Sequence, residues 1–382
     1  MTHIIHFMPF YDVPGKAAFS GAENHLFTLM AGQVKAGLQV ELVMVVGLPG
    51  ARLDQKAQEL QALGVKVTQI VYPYAGLGLK AKLLRPLIVR DLWRFMRTRR
   101  DAVFHIHPLT NSGALIVLAA WLCRHRAIVL SYHNNEPFLA QQPYKTGLRL
   151  MDKVARRTLA ISAAVRDHLV HAVGLDPART EIVYYGVEIP QQQPDRTALR
   201  TRLGVKPDAF VAGLVGRLTE QKDIPTFLKA LKQVPDITGL IIGGGELEGP
   251  LKAEAQALGL TNCIFAGPQP DGPDLIGCLD VMVLPSRFEG LGLVLLEAMV
   301  RHTPIIGSLG GAIPEITEQG KLARLFPVGD VERLVSALRD MQQNESTRQS
   351  LADMAFARAR EKYTVDAMVA TTSAFYKKAA VA

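Results

Sequence analysis

Short β-rich runs alternate with helical patterns along almost the whole chain, and this alternation leaves few folds open. Apolar or β-branched runs fall at 4–8, 40–46, 65–70, 103–107 and 128–133, and helical patterns at 23–36, 53–63, 83–99, 113–124 and 146–157 separate them. Strand–helix alternation at this spacing predicts a parallel, doubly wound α/β sheet. The segment 188–196, EIPQQQPDR, is polar, carries prolines and has no periodicity, which marks a linker. The alternation then resumes, with strands at 210–215, 239–242, 263–266, 281–284 and 304–307 and helices at 226–232, 251–257 and 293–300. Two Rossmann-like domains are expected, 1–187 and 201–357, joined by a linker at 188–200. A final helix within 358–382 is expected to pack back on the first domain. Ligands of such sheets bind beyond the carboxyl ends of the strands, so two sheets facing across a cleft would place a small-molecule site there.

The 382 residues, 48% hydrophobic and 20% charged, suffice for two buried cores. Cys123, Cys263 and Cys278 are far apart and form no CxxC pair, so neither a disulfide framework nor a structural zinc site is expected. The first ten residues read as a strand rather than a signal peptide, and the apolar stretch 109–123 is too short to span a bilayer. A cytoplasmic protein is the expectation.

The formal net charge of +8 points to anionic partners. Eight cations lie between Lys80 and Arg100, among them Arg85, Arg90, Arg94 and Arg97, against the single acid Asp91. Leucines, Trp93 and Phe95 are interleaved, which predicts a basic amphipathic helix interrupted early by Pro86. Either this helix docks on an anionic membrane surface at the inner face of a membrane, or its apolar side is core. No zinc-finger, RNP or basic-zipper signature is present, so nucleic acid is not an expected partner.

Chemistry concentrates in the second half. The apolar strand 281–284 ends in Pro285, and Gly290-Leu291-Gly292-Leu293 opens a helix that carries Glu297. Glycines at a helix mouth offer no capping side chain, so the first amides are free to favour an anion. Glu289 stands before that helix and Glu297 inside it, among Leu, Val, Ala and Met. A buried glutamate needs a partner: a ligand hydroxyl or a basic residue of the same domain. In the loop after strand 210–215, Gly216 is followed by Arg217 and Lys222. Two cations at the carboxyl end of a strand suit a diphosphate, or they are a solvated surface pair.

The Gly-Arg…Lys loop and the Glu-x7-Glu segment together resemble those of the retaining glycosyltransferase family 4, which has the GT-B fold. The resemblance runs over nearly the whole chain. It includes Ser20-Gly21-Ala22-Glu23 after the first strand, the strand ends His105-Ile106-His107 and Ser131-Tyr132-His133, Ile161-Ser162, Gly243-Gly244-Gly245-Glu246-Leu247, and Gly310-Gly311-Ala312-Ile313-Pro314-Glu315. It implies sugar transfer from a UDP-, GDP- or ADP-sugar to a glycan or lipid-linked acceptor, without a metal. Arg217 and Lys222 would neutralise the departing diphosphate, Glu289 would hold the donor sugar, and Glu297 would bind the ribose hydroxyls. Gly21 would let backbone amides approach the phosphates, and His133 would sit beside the transferred sugar. Gly216, Gly245, Gly290, Leu291, Gly292 and Leu293 would complete the donor site. Lys222 is read as an exposed loop cation, whose loss would lower turnover far more than stability.

Two departures stand out. Tyr185-Gly186-Val187-Glu188 replaces the family's Asn-Gly-Val-Asp, and Ser20 stands where a glycine is usual and is less permissive of positive φ. His105 and His107 are read as facing opposite sides of their strand, with no third ligand evident for a metal. Tyr144, Lys145 and the loop 134–142 are placed on the acceptor side. Three rivals remain. A non-hydrolysing sugar-nucleotide epimerase would share the fold. A Rossmann dehydrogenase would need G-x-G-x-x-G after the first strand, where Pro9 to Gly15 do not fit it. A non-catalytic GT-B protein would not need Arg217, Lys222, Glu289 and Glu297.

Overall fold

The computed structural model describes residues 3–11, 19–72, 81–108, 113–269 and 271–381. Lys80 and residues 109–112 of the sequence expectations lie outside them. The chain divides into two compact units, Met1–Gly186 with Val365–Ala382, and Val187–Thr364.

Unit 1 is built on a parallel sheet of seven strands: β1 His3–Tyr11, β2 Gln39–Leu48, β3 Lys66–Val71, β4 Val103–Ile106, β5 Ile128–Tyr132, β6 Arg157–Ala160 and β7 Thr180–Ile182. Their spatial order is β3-β2-β1-β4-β5-β6-β7, so the winding reverses between β1 and β4. Ile4, Ile5, Phe7, Met8 and Phe10 of β1 are all fully buried. Burial on both faces explains why the central strands read as continuous apolar runs. The sequence pattern did not reveal β6 and β7, which are four and three residues long. Their interior partners are polar: Thr158 Oγ1 donates to the buried Asp152 at 2.8 Å.

The helix Gly21–Lys35 begins with a capping box: Glu23 N–H donates to Ser20 Oγ, and Ser20 N–H donates to Glu23 Oε2 at 2.6 Å. Ser20 has φ −69°, ordinary extended backbone. The expectation of a strained serine is therefore corrected: an N-cap wants extended backbone and a side-chain acceptor, and serine supplies both. The helix Ala81–Met96 runs through Pro86 instead of being interrupted by it.

Unit 2 repeats the plan with six parallel strands: β8 Phe210–Val215, β9 Ile237–Ile242, β10 Cys263–Gly267, β11 Val281–Leu284, β12 Ile305–Ser308 and β13 Arg324–Phe326. The order β10-β9-β8-β11-β12-β13 puts its switch point between β8 and β11. Leu214, Phe227, Leu231, Ile237, Val283 and Leu338 form its fully buried core.

Two boundaries differ from the sequence expectation. The segment 188–200 is not a linker throughout, because a helix begins at Arg196, capped by the Asp195 side chain. From that helix the buried Arg200 reaches Cys278 O, Pro207 O, Ala209 O and Asp280 Oδ2, which builds the segment into unit 2. The terminal helix is also broken. Glu345–Lys362 belongs to unit 2 and Val365–Val381 to unit 1, and between them Thr364 forms a parallel bridge with Val187.

Candidate active site

In unit 2 the residues singled out in the sequence come together on the loops that follow β8 and β11. These strands flank the switch point, where connections diverge and a crevice opens at the carboxyl edge. Lys222 closes a single 3-10 turn, Glu220–Lys222, and its Nζ donates to Glu289 Oε1 at 2.6 Å. Ser286 Oγ donates to the same oxygen at 2.6 Å. Gln221 Nε2 donates to Phe288 O at 2.9 Å and lies 3.4 Å from Glu289 Oε2. Arg287 N–H donates to Gln221 O at 2.8 Å and ties the loops together.

Glu289 is 5% exposed, and the Lys222 side chain only 13%. The reading of Lys222 as an exposed cation is corrected by this folding of one loop onto the other. Its ammonium is partly desolvated and spoken for by a buried carboxylate, so its removal would strand a charge. Arg217 is the opposite case. It is exposed and makes no ion pair among the described residues.

Glu297 lies on the helix Leu293–Met299, half-buried. Burial pushes its carboxyl up to about 7, against the pull of Arg301 and Lys222. Arg301 bonds the Glu297 carbonyl and pairs with Asp274 at 2.7 Å, not with the Glu297 carboxylate. Of the two partners considered for this glutamate, the basic residue of its own domain is thus engaged elsewhere. The helix is only seven residues long, and its cap Gly292 is left-handed at φ 79°. Leu291 behind it is 2% exposed.

Two glycines let backbones touch where a side chain could not fit. A Cβ on Gly311, whose φ is +58°, would fall 2.3 Å from Glu289 O. A Cβ on Gly245 would fall 2.4 Å from Leu218 O, where the loops after β8 and β9 run side by side. Gly245 therefore shapes the loop that carries Arg217 and Lys222. At the same oxygen, Ala312 N–H donates to Glu289 O at 3.0 Å.

Unit 1 carries a different construction. β1 and β4 are register neighbours, His6 opposite His105. Tyr185 Oη lies 2.6 Å from His133 Nδ1, His133 Nε2 3.0 Å from His107 Nδ1, His107 Nε2 3.0 Å from His6 Nδ1, and His6 Nε2 2.8 Å from Gln33 Oε1. Gln33 Nε2 then donates to Tyr376 Oη at 3.1 Å, Tyr376 Oη lies 2.6 Å from His105 Nδ1, and His105 Nε2 2.6 Å from Ser131 Oγ.

The Gln33 amide sets the direction of the whole chain. Its carbonyl oxygen can only accept, so His6 carries its proton on Nε2. His107 and His133 must then do the same, and Tyr185 donates to His133. Beyond Gln33, Tyr376 donates to His105 and His105 to Ser131. Every donor finds one acceptor when all four imidazoles are neutral. Burial favours that state: it lowers His6 and His133 to about 4, and His105 and His107 well below the usual imidazole value. His25 stacks on Tyr185 with centroids 3.5 Å apart.

Three expectations change here. His105 and His107 share one side of their strand, with ring centroids 4.1 Å apart. Side chains alternate with period two, so positions i and i+2 coincide. A third histidine also exists, because β1 brings His6 alongside; nitrogens of His6, His105 and His107 lie within 4.8 Å of one another, a grouping able to hold a metal. Each of these nitrogens already has a hydrogen-bond partner. His133, singled out for catalysis, has both nitrogens engaged within unit 1. Gly21, the first residue of its helix, is exposed, and a Cβ added there would meet nothing within 4 Å.

Two doubly wound parallel sheets in one chain, with a cation–carboxylate cluster at the switch point of the second, are the architecture of the GT-B fold class. Residues 19–190 match the model of Glycosyltransferase Family 4, and residues 195–358 that of Glycosyl transferases group 1. The 2-deoxystreptamine N-acetyl-D-glucosaminyltransferase of Streptomyces fradiae is 26% identical over 85% of this chain and 82% of its own length. The sulfoquinovosyl transferase SQD2 of Arabidopsis thaliana is 28% identical over 76% of this chain, a stretch that spans 58% of the plant protein. In fold, the Anabaena Alr3699/HepE structure with UDP and glucose superposes with a TM-score of 0.79 at 21% identity, covering 98% of this chain and 100% of that one. The chain belongs to glycosyltransferase family 4.

Proposed function

We propose that this protein is a retaining glycosyltransferase that moves a hexose from a nucleotide diphosphate-sugar to a glycan or lipid-linked acceptor in envelope or exopolysaccharide biosynthesis. The observation that carries the reading is the Lys222–Glu289 pair, 2.6 Å apart, which joins the two switch-point loops; the exposed Arg217 lies on the first of these loops and Glu297 on the helix that follows the second. Arg217 meets the diphosphate, Lys222 shares its charge with the leaving phosphate, and the Glu297 carboxylate receives the ribose hydroxyls. Glu289 holds the sugar from the loop just ahead of Gly290 and Gly292. Ahead of the capped Glu23 N–H, the amides of Gly21 and Ala22 at the start of the helix Gly21–Lys35 suit a phosphate.

In this reaction the bond from the anomeric carbon to the diphosphate breaks and the acceptor oxygen bonds to the same face. The acceptor proton passes to the departing phosphate oxygen. No protein nucleophile is required, and catalysis rests on positioning and on charge stabilisation of the leaving group. Arg217 and Lys222 supply the positive charge, and no DxD-like motif is placed to bind a metal. His133, both nitrogens bonded, serves the sugar side through its fixed ring. Tyr144 and the loop 134–142 border the acceptor. Transfer takes place at the cytoplasmic face of a membrane, approached through the basic stretch between Lys80 and Arg100. Among the described residues no helix is long and apolar enough to cross a membrane.

A thermal-shift screen against free nucleotides and nucleotide sugars tests the donor, since a ligand of the folded state raises the melting temperature by mass action. Uridine diphosphate is the first to try, given the HepE complex. A shift confined to one diphosphate series, abolished in Glu297→Ala, supports the reading. NMR of the product's anomeric configuration then decides retention. Epimerised sugar nucleotide formed without acceptor would overturn it in favour of an epimerase.

A further inference from the structure

The helix Ala114–Leu122, ALIVLAAWL, contains no polar residue, yet only part of it is buried. Ile116, Val117, Ala119 and Ala120 face the core. Leu118, Trp121 and Leu122 are 42%, 57% and 48% exposed. Their spacing, i, i+3 and i+4, makes them one outward stripe. Such a stripe on a soluble surface marks an interaction site.

The neighbouring helix Ala81–Met96 buries Ile88, Leu92 and Met96, so most of its apolar side is core, as one of the two sequence readings had it. Its outer side adds a half-exposed Leu87 and several arginines. Between the two helices lies an open groove of about 640 Å³, floored by Trp93, Leu115, Leu118 and Leu122.

Arginines line the groove and follow the stripe at its C-terminal end. Arg85 lines the groove, and Arg97 lies 5.1 Å from the Trp93 ring. Arg97 and Arg100 act on Cys123 at the end of the exposed helix, and Arg124 and Arg126 follow it directly. All five are exposed, and none makes an ion pair among the described residues. Five unpaired cations in the groove and at the end of an apolar stripe that carries an exposed tryptophan are complementary to one surface in particular, an anionic lipid bilayer. A second copy of the chain fits less well, because a two-fold contact through this face would oppose arginine with arginine.

We infer that the outer stripe of Ala114–Leu122 is the membrane-inserting element of this protein, with Leu118, Trp121 and Leu122 entering an anionic phospholipid bilayer to headgroup depth and these arginines binding lipid phosphates. The inference deepens the membrane part of the proposed function and moves the inserting residues from the basic helix to the one after it.

The test is sedimentation of the full chain with vesicles of phosphatidylcholine alone or with about 30 mol% phosphatidylglycerol, without donor or acceptor. The wild type should pellet with the anionic vesicles at low salt and be released as salt rises. The double variant Trp121→Gln, Leu122→Gln should bind at least about tenfold more weakly, while its melting temperature stays that of the wild type because the residues are exposed. In a Trp93→Phe background, Trp121 fluorescence should shift to the blue on binding and be quenched by shallow brominated lipid. Wild-type protein left in the supernatant, or a double variant that binds as the wild type does, overturns the inference. So does a concentration-dependent dimer abolished by the double variant, which would assign the stripe to a second copy. Vesicle binding needs no turnover, so its failure is distinguishable from failure of the transferase reading.

Discussion

Lowering the pH from 7 to 5 should loosen unit 1 well before any ordinary carboxylate titrates. His6 is fully buried and takes up a proton only at about 4 in the folded chain, against about 6.5 in an unfolded one. The folded state therefore binds fewer protons than the unfolded state throughout that window, and stability rises with pH across it. A displacement of that size corresponds to about 3 kcal/mol once the pH is below 4, of which about 2 kcal/mol is lost by pH 5. His133 is displaced to about 4 too, but it is half-buried and contributes less. His25, His105 and His107 are displaced in the same direction. The cost is chemical as well as electrostatic. An imidazolium donates from both nitrogens, so one proton on His6 leaves two donors facing each other at its 3.0 Å bond to His107. Against a domain stability of roughly 5–15 kcal/mol the effect is large. Urea unfolding followed by tryptophan fluorescence reads it selectively, because Trp93 and Trp121 are the only tryptophans and both lie in unit 1. Unfolding free energy should fall by at least about 1 kcal/mol per pH unit near pH 5. A flat urea midpoint from pH 7 to pH 5 would refute the neutral hydrogen-bonded chain.

In unit 2, Lys222→Ala should lower both turnover and stability, the latter by about 2–3 kcal/mol, because the buried Glu289 loses its counter-charge; a loss of activity at unchanged melting temperature would contradict the buried pair. Arg217→Ala, by contrast, should leave the melting temperature in place and reduce kcat/KM by about 10²-fold, measured with any accepted donor. Glu297→Gln should stabilise unit 2 at pH 8, since the wild-type carboxyl titrates near 7 and its charged form is disfavoured by burial. For such a raised carboxyl, stability is gained as the pH falls from about 7 toward 4.5, and the variant's advantage in a thermal melt should shrink to a small remainder by pH 5. Gly311→Ala should cost stability and weaken donor binding together, because its Cβ would displace the Glu289 backbone.

Much of unit 2's site was legible beforehand because its elements are local. Gly216, Arg217 and Lys222 lie in one strand-to-helix loop, Glu289, Gly290 and Gly292 in another, and Glu297 on the helix that the second loop opens. Residue type and spacing mark both. What spacing could not supply was the state of each group. Arg217 and Lys222 look alike in sequence, yet one is exposed and unpaired and the other is bound to Glu289. That difference arises only when the two loops close on each other across neighbouring strands.

The histidine chain of unit 1 was legible least. Its members sit at positions 6, 33, 105, 107, 131, 133, 185 and 376, on strands or strand ends, two helices and the last residues before the crossover. His6, Gln33 and Tyr376 are isolated polar residues in the sequence, and the strand-end pairs 105/107 and 131/133 carry no sign there that they join one chain. Tyr185, a departure from the family pattern, has its hydroxyl on His133, a contact between residues 52 positions apart.

The sequence alone determined the α/β class, the two-unit plan and the loops that bear the charged groups, because strand and helix periodicity and glycine-bounded turns are properties of neighbouring residues. Only the tertiary structure decided which cation is free, which imidazoles are neutral and which helix leaves its apolar stripe to solvent. Those depend on burial and on partners distant in the chain, and a local pattern carries no record of either.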